Sequence, residues 1–213
     1  MSKEKDYIAA LENAERRFFV SPVTIEKRED SEEGPSVIEG HAAKFNSRTN
    51  IANWFEEEIL PGAFDDVLND DVRCLFNHDP NQILARSVNG KGTLTLSIDE
   101  EGLKYRYETP DRSYAKDLED AIAKGDVTQS SFAFRAKEVI WKERSDELDL
   151  RQIVKVERLY DVSPVTYPAY QDATVGKRSL DAFKAEQKGE DNKENERSLS
   201  LSKARCLIYN YNS

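Results

Sequence analysis

The clearest pattern in the chain is a period of two. Leu94, Leu96 and Ile98 alternate with Thr93, Thr95 and Ser97, and beyond Gly102 the residues Leu103, Tyr105 and Tyr107 alternate with Lys104 and Arg106. Alternation throws the apolar set onto one side, so GTLTLSIDEEGLKYRYETP predicts an antiparallel hairpin with one buried face. Other strands are expected at VIEGHAAKFN, at FEEEIL before the Pro61-Gly62 turn, and at DVRCLFNH and Ile83–Ser87 around Asp79-Pro80-Asn81. Two longer ones are expected over Gln129–Trp141 and Arg151–Thr166. Helical spacing is rarer. Phe64, Val67 and Leu68 predict a short helix. A second is expected after Asp111 or Ser113, where Tyr114, Leu118, Ala121 and Ile122 share a face and Gly125 stops the run. These elements add up to an α+β domain over residues 36–175, mostly β and consistent with an antiparallel β-barrel with surrounding short helices.

The flanks read differently. Residues 1–35 form a charged N-terminal lead-in with a short helix expected over Tyr7–Phe18, followed by the breaker-rich KREDSEEGPS. Residues 176–213 predict a helix over Ser179–Lys188 and then a polar flexible tail, GEDNKENERSLSLSKARC.

Composition narrows the classes. The 213 residues carry a formal charge of −10, with 34% charged and 38% hydrophobic residues, so part of the chain is expected to stay unpacked. Nine Phe, nine Tyr and two Trp supply the core of the remainder. No stretch approaches the ~18 apolar residues of a membrane helix, and the charged N-terminus lacks the apolar run of a signal peptide. Cys74 and Cys206 are too far apart to suggest a disulfide framework, which points to a reduced, cytoplasmic setting. With His41 and His78 they fit no zinc spacing, and no Gly-rich phosphate loop is present. The negative balance disfavours phosphate binding. The expectation is a protein without metal or cofactor, and without a nucleic-acid or membrane partner.

Within those limits, hydrolysis calls for a nucleophile, a base and an orienting group. His78 ends a buried strand where the chain turns, a rigid yet open position that suits proton transfer; the alternative is a turn imidazole holding a backbone group. His41 lies on a strand without polar company. In QSSFAF, alternation groups Ser130 with Phe132 and Phe134 and turns Ser131 to the opposite face beside small neighbours. Ser131 is thus the nucleophile candidate on geometry, set against an ordinary strand serine. In VKVERLYDVSPV, both Glu157 and Asp161 fall on the face opposite Val156, Tyr160 and Val162, and either could hold an imidazole. Amides around Pro164-Val165-Thr166-Tyr167 are candidates for an oxyanion hole.

The stretches EGHAAKFN, FEEEILPGAFDDVL, DVRCLFNHDPNQILARS, GTLTLSIDEEGLKYRYETPD, QSSFAF and LYDVSPVTYPAY, in this order and spacing, resemble the prohead (procapsid) maturation proteases of tailed bacteriophages. Those enzymes are related in fold to the herpesvirus assembly proteases. The resemblance implies a serine endopeptidase on a herpesvirus-protease-like barrel, with the family's histidine at His78 and its nucleophile at Ser131. For the third group it points to Glu157, with Asp161 as the alternative. It also implies a substrate: the scaffolding protein, or a scaffolding segment of the major capsid protein, cut inside the assembling procapsid in the host cytoplasm. Self-cleavage and a homo-oligomer are further implications. The alternative from another class is a non-catalytic capsid assembly or scaffolding factor on the same fold. The family often has glycine where this chain has Ala85 and Ala133, which would be strained at positive φ.

Overall fold

A computed structural model describes residues 14–19, 22–26, 34–167 and 175–187. Among the described residues of the first of its two units are twelve strands and one helix: β1 (Glu15–Phe19), β2 (Thr24–Glu26), β3 (Val37–Lys44), β4 (Thr49–Ile51), β5 (Phe55–Ile59), β6 (Val72–Leu75), β7 (Ile83–Val88), β8 (Lys91–Gly92), β9 (Leu94–Ile98), β10 (Gly102–Glu108), α1 (Ser113–Lys124), β11 (Gln129–Lys142) and β12 (Leu150–Val165). A second helix, α2, spans 175–187, all but its first residue in the second unit. Residues 188–213, and with them the whole of the expected polar tail, lie outside the described residues.

The hairpin of β9 and β10 forms as its alternation predicts, with Leu103 opposite Ile98 and Tyr107 opposite Leu94. Leu94, Leu103, Tyr105 and Tyr107 are all buried. This ribbon joins β3 and β2 in a four-stranded sheet ordered β2-β3-β10-β9. The larger sheet runs β1-β11-β12-β6-β7-β8, with β5 beside β12 and β4 beside β5. Both sheets close over one core that includes Ile38, Tyr105, Phe132, Phe134, Leu159 and Val162.

The strand pairing describes two sheets, and the expected antiparallel arrangement needs one correction: β12 is parallel to both β5 and β6. The reason is connectivity. The long β11–β12 ribbon sits mid-sheet with β1 along β11, so β5 and β6 add along the other edge, that of β12, in the direction their own turns leave them. The expected Phe64–Leu68 helix is also absent. There the chain runs through successive tight turns, with Ala63 N donating to Leu60 O and Val67 N to Phe64 O, and still buries Ala63, Phe64 and Val67. Packing needs only the apolar spacing, which a chain of turns provides as well as a helix.

α1 ends as predicted: Gly125 adopts φ 80° and its amide returns to carbonyls of the last turn. Its start has Arg112 at the cap without a side-chain bond, and Asp111 instead pairs with Lys116. The N-terminal lead-in departs most from expectation. Glu15–Phe19 is a strand along β11, not the end of a Tyr7–Phe18 helix, while residues 7–13 lie outside the described residues. Tertiary pairing with an available edge overrides a weak helical spacing.

Candidate active site

Three adjacent strands of the larger sheet bring the candidate residues together. Ser131 lies near the start of β11, directly opposite Ser163 of β12. Asp161 lies two residues before Ser163, opposite Ala133. On the far side of β12, β6 runs parallel with Arg73 beside Asp161 and Cys74 beside Val162. The next turn then carries His78 over the ends of both strands.

That turn is held tightly. Asn77 and His78 take φ of 54° and 58°, a left-handed pair that side-chain-bearing residues adopt at a cost of about 1–3 kcal/mol each. Fixed partners offset this cost. Asn77 N donates to Pro164 O at 3.1 Å, and Asn77 Oδ1 accepts from Thr166 N at 2.9 Å and Thr166 Oγ1 at 3.2 Å. Asp79 N donates to Phe76 O and Gln82 N to Asp79 O, closing the loop behind the imidazole. The Thr166 amide is therefore engaged by Asn77, which removes it from the expected oxyanion donors. Ala85 and Ala133 lie in strands and have no left-handed φ, so the strain anticipated for alanine there does not arise.

The result is a continuous chain of polar contacts. His78 Nδ1 is 2.5 Å from Asp161 Oδ1, and His78 Nε2 is 2.6 Å from Ser131 Oγ. Ser163 Oγ donates to the same Asp161 oxygen at 2.8 Å. With Nδ1 donating to the carboxylate, Nε2 is left as an acceptor for the serine proton. This is the arrangement of nucleophile, base and orienting acid that acyl transfer requires.

Of the two acids open from sequence, the structure puts Asp161 beside His78. Glu157 is placed elsewhere: it is half-exposed and ion-paired with Arg135 at 2.6 Å. The correction has a physical cause. The β11–β12 pairing jumps register between Ala133 and Phe134 and again between Arg135 and Ala136, so Tyr160 and Glu157 each fall at an irregularity. Each extra residue reverses the alternation. Counting by twos from Val162 therefore fails before it reaches Glu157, and only the stretch nearest Ser131 keeps its face.

Neighbours sharpen the picture. Ser130, on the opposite face from Ser131, bonds to Tyr105 Oη at 2.9 Å inside the core. Gly40 permits this, because a Cβ there would meet that phenol oxygen at 2.9 Å. Burial raises the Tyr105 phenol far above its ordinary range, so it stays a neutral partner. Cys74 is buried, and burial, followed by the nearby Asp161 charge, pushes its thiol well up; it is no rival nucleophile. His41 does have polar company, contrary to expectation: Asp99 Oδ2 lies 2.8 Å away at the surface. A hollow of about 1950 Å³, bordered by Val37, Arg86, Thr109 and Arg112, includes neither His78 nor Ser131. Among the described residues no group of His, Cys, Asp and Glu could hold a metal, and no helix is long and apolar enough to cross a membrane.

Ser131 itself has no exposed surface. β1 lies against this part of β11, with Phe18 opposite Ser131, and Ser131 Oγ lies 2.8 Å from the carbonyl oxygen of Arg17.

The chain is similar over 71% of its length, and over 96% of the other chain, to the capsid assembly protease gp21 of bacteriophage T4, with 13% identity and a TM-score of 0.45. No curated protein matches. The model of the caudovirus prohead serine protease family matches residues 22–186, more than three-quarters of the chain. The chain thus belongs to the caudovirus prohead serine protease family.

Proposed function

We propose that this prohead protease is a serine endopeptidase that cleaves the scaffolding protein, or a scaffolding segment of the major capsid protein, inside the assembling procapsid in the host cell. The observation that carries the reading is the unbroken contact from Ser131 Oγ through His78 to Asp161. Ser131 is the nucleophile, His78 the general base and then acid, and Asp161, rather than Glu157, the acid that fixes the imidazole. Ser163 assists by occupying the Asp161 oxygen that faces the ring.

In the first step Ser131 Oγ bonds to the substrate carbonyl carbon while its proton passes to His78 Nε2. Asp161, buried beside Nδ1, stabilises the resulting imidazolium. The leaving amine takes the proton, and water then hydrolyses the acyl-serine by the same route. The two sheets over one core fit an opened form of the herpesvirus-protease-like barrel, with the site on the large sheet. A homo-oligomer within the particle and self-cleavage belong to the same reading.

The experiment is co-expression with capsid and scaffolding proteins. The parent chain yields a shortened product by mass spectrometry and Ser131→Ala leaves every chain full-length. Normal processing by Ser131→Ala, or no fluorophosphonate labelling of Ser131 in assembled particles, would favour the non-catalytic assembly factor.

A further inference from the structure

Joined to the catalytic contact through the Arg17 carbonyl lies a second buried polar cluster that takes no part in the proton transfer. Arg17 Nε and Nη2 donate to the two carboxylate oxygens of Glu57, at 2.5 and 3.0 Å. Arg17 Nη2 also donates to Glu15 at 2.6 Å. Arg151 donates through Nη1 and Nη2 to Glu15, at 2.5 and 2.9 Å, and through Nη1 to Glu57, at 2.8 Å. All four side chains are almost fully buried. Burial opposes the charge on Arg17, but Glu57 and Glu15 outweigh it and hold the guanidinium above its ordinary range. Burial likewise opposes ionisation of Glu57, and Arg17 and Arg151 reverse it.

The cluster divides into a floor and a visitor. Glu57 of β5 and Arg151 of β12 are register partners in the parallel ladder and neutralise each other without help. Glu15 and Arg17 come from β1, spaced by two so that both face the floor. β1 in turn lies antiparallel on β11, as an extended peptide adds to a sheet edge. The Arg17 carbonyl oxygen sits 2.8 Å from Ser131 Oγ, with the Arg17–Phe18 bond next in line. One serine proton has two acceptors in reach, that carbonyl and His78 Nε2. Donation to the carbonyl leaves the hydroxyl unactivated; donation to His78 leaves the oxygen free to bond the carbonyl carbon.

We propose that β1 occupies the substrate groove of this protease, and that Glu57 and Arg151 are its specificity-determining residues. Glu57 selects arginine immediately before the cut, and Arg151 selects an acidic residue two positions earlier. The substrate class is then an extended peptide with an acidic residue, any residue and arginine before the scissile bond. In cis, Ser131 Oγ bonds to the Arg17 carbonyl carbon as its proton passes to His78. The Arg17–Phe18 C–N bond breaks as that proton moves to the Phe18 nitrogen, and water hydrolyses the ester to restore Ser131. The inference rests on the protease reading and adds to it which peptide is cut.

The test uses the full chain with synthetic peptides containing Ala-Glu-Arg-Arg-Phe-Phe, in which the second arginine is replaced by lysine, glutamine, alanine or glutamate. The arginine peptide is cut after that residue at a kcat/KM about tenfold or more above the alanine and glutamate peptides, the scale of a buried charge-assisted bond. Glu57→Gln removes most of that preference, lowering kcat/KM for the arginine peptide to near that of the glutamine peptide. Mass spectrometry of the protein alone finds a fragment beginning at Phe18, absent in Ser131→Ala. Arg17→Glu sets a third carboxylate against Glu15 and Glu57, detaches β1, and speeds fluorophosphonate labelling of Ser131. Cleavage with equal rates for arginine and alanine, or a preference for glutamate, overturns the inference and leaves the protease intact. No cleavage of any peptide, together with no labelling of Ser131 in Arg17→Glu, overturns both.

Discussion

Two buried polar clusters meet at Arg17 of β1, one through its side chain and one through its carbonyl, and they are built on opposite rules. The Glu15–Arg17–Glu57–Arg151 cluster holds two anions and two cations, each bonded to opposite charges within it. The Ser131–His78–Asp161 cluster holds one fixed anion, a neutral hydroxyl and an imidazole between them. The first is closed: every charge is answered, so it holds the segment that completes it. The second is open at the serine end, where the next partner is the carbonyl of another segment. Closure gives strength, and incompleteness leaves room for a proton to move. The closed cluster therefore should be read by stability and recognition, and the open one by rate.

The sharpest way to break that contrast is at Ser131. Ser131→Ala is expected to lower peptide cleavage by about 10⁴-fold or more. Unfolding midpoints should shift little, since the alanine keeps the strand and loses only a hydroxyl. A large stability loss with residual cleavage would show that the two clusters had been assigned the wrong way round. Asp161→Asn comes next, with an expected loss on the order of 10⁴-fold in kcat, because an amide beside Nδ1 can hold the ring in the wrong tautomer.

At Glu57 the expected effect moves from rate to stability. Glu57→Ala leaves Arg17 and Arg151 buried with only Glu15 between them, and breaking a buried pair typically costs about 3–5 kcal/mol. Urea unfolding of the full chain measures this. The pH dependence has a definite sign. Glu57 is held below its ordinary range in the folded protein, so the unfolded chain takes up a proton first as the solution is acidified. Its contribution is whole above the ordinary glutamate range and is lost as pH falls through and below it. In Glu57→Gln that part of the acid-side slope should vanish, which acid titration by circular dichroism would register.

How far these features could be read from sequence follows from whether the local period survived. The β9–β10 hairpin keeps strict alternation over both strands, so its buried face was legible from Leu94 to Tyr107. In QSSFAF the alternation holds up to Ala133, far enough to separate Ser131 from Ser130. In β12 the irregularities at Tyr160 and Glu157 cancel the count, and two acids that look equivalent on paper face different environments. The edge position of β1 was invisible for another reason. Its partners Glu57 and Arg151 lie 40 and more residues away, and a charged segment carries no local sign of a buried ionic site that will receive it. His78 was legible as a turn residue, but its left-handed backbone depends on Pro164 and Thr166, which only the fold brings near.

The smallest effect sharpens the comparison by supplying its blank. Glu157 pairs with Arg135 at 2.6 Å with both side chains close to half exposed, so solvent screens the attraction and the net worth is about 0–1 kcal/mol. Glu157→Gln should leave kcat/KM within about twofold and stability within about 0.5 kcal/mol of the parent, the usual range for surface changes. The measurement matters because Glu157 and Asp161 are four residues apart in number, yet the pairing with β11 jumps register at Tyr160 between them and again at Glu157 itself. If cleavage instead fell about as far in Glu157→Gln as in Asp161→Asn, the strand would have to shift register in the active particle, carrying Glu157 to His78. Equal activity in the parent and Glu157→Gln, beside a collapse in Asp161→Asn, means that the register seen here is the one in which the enzyme works.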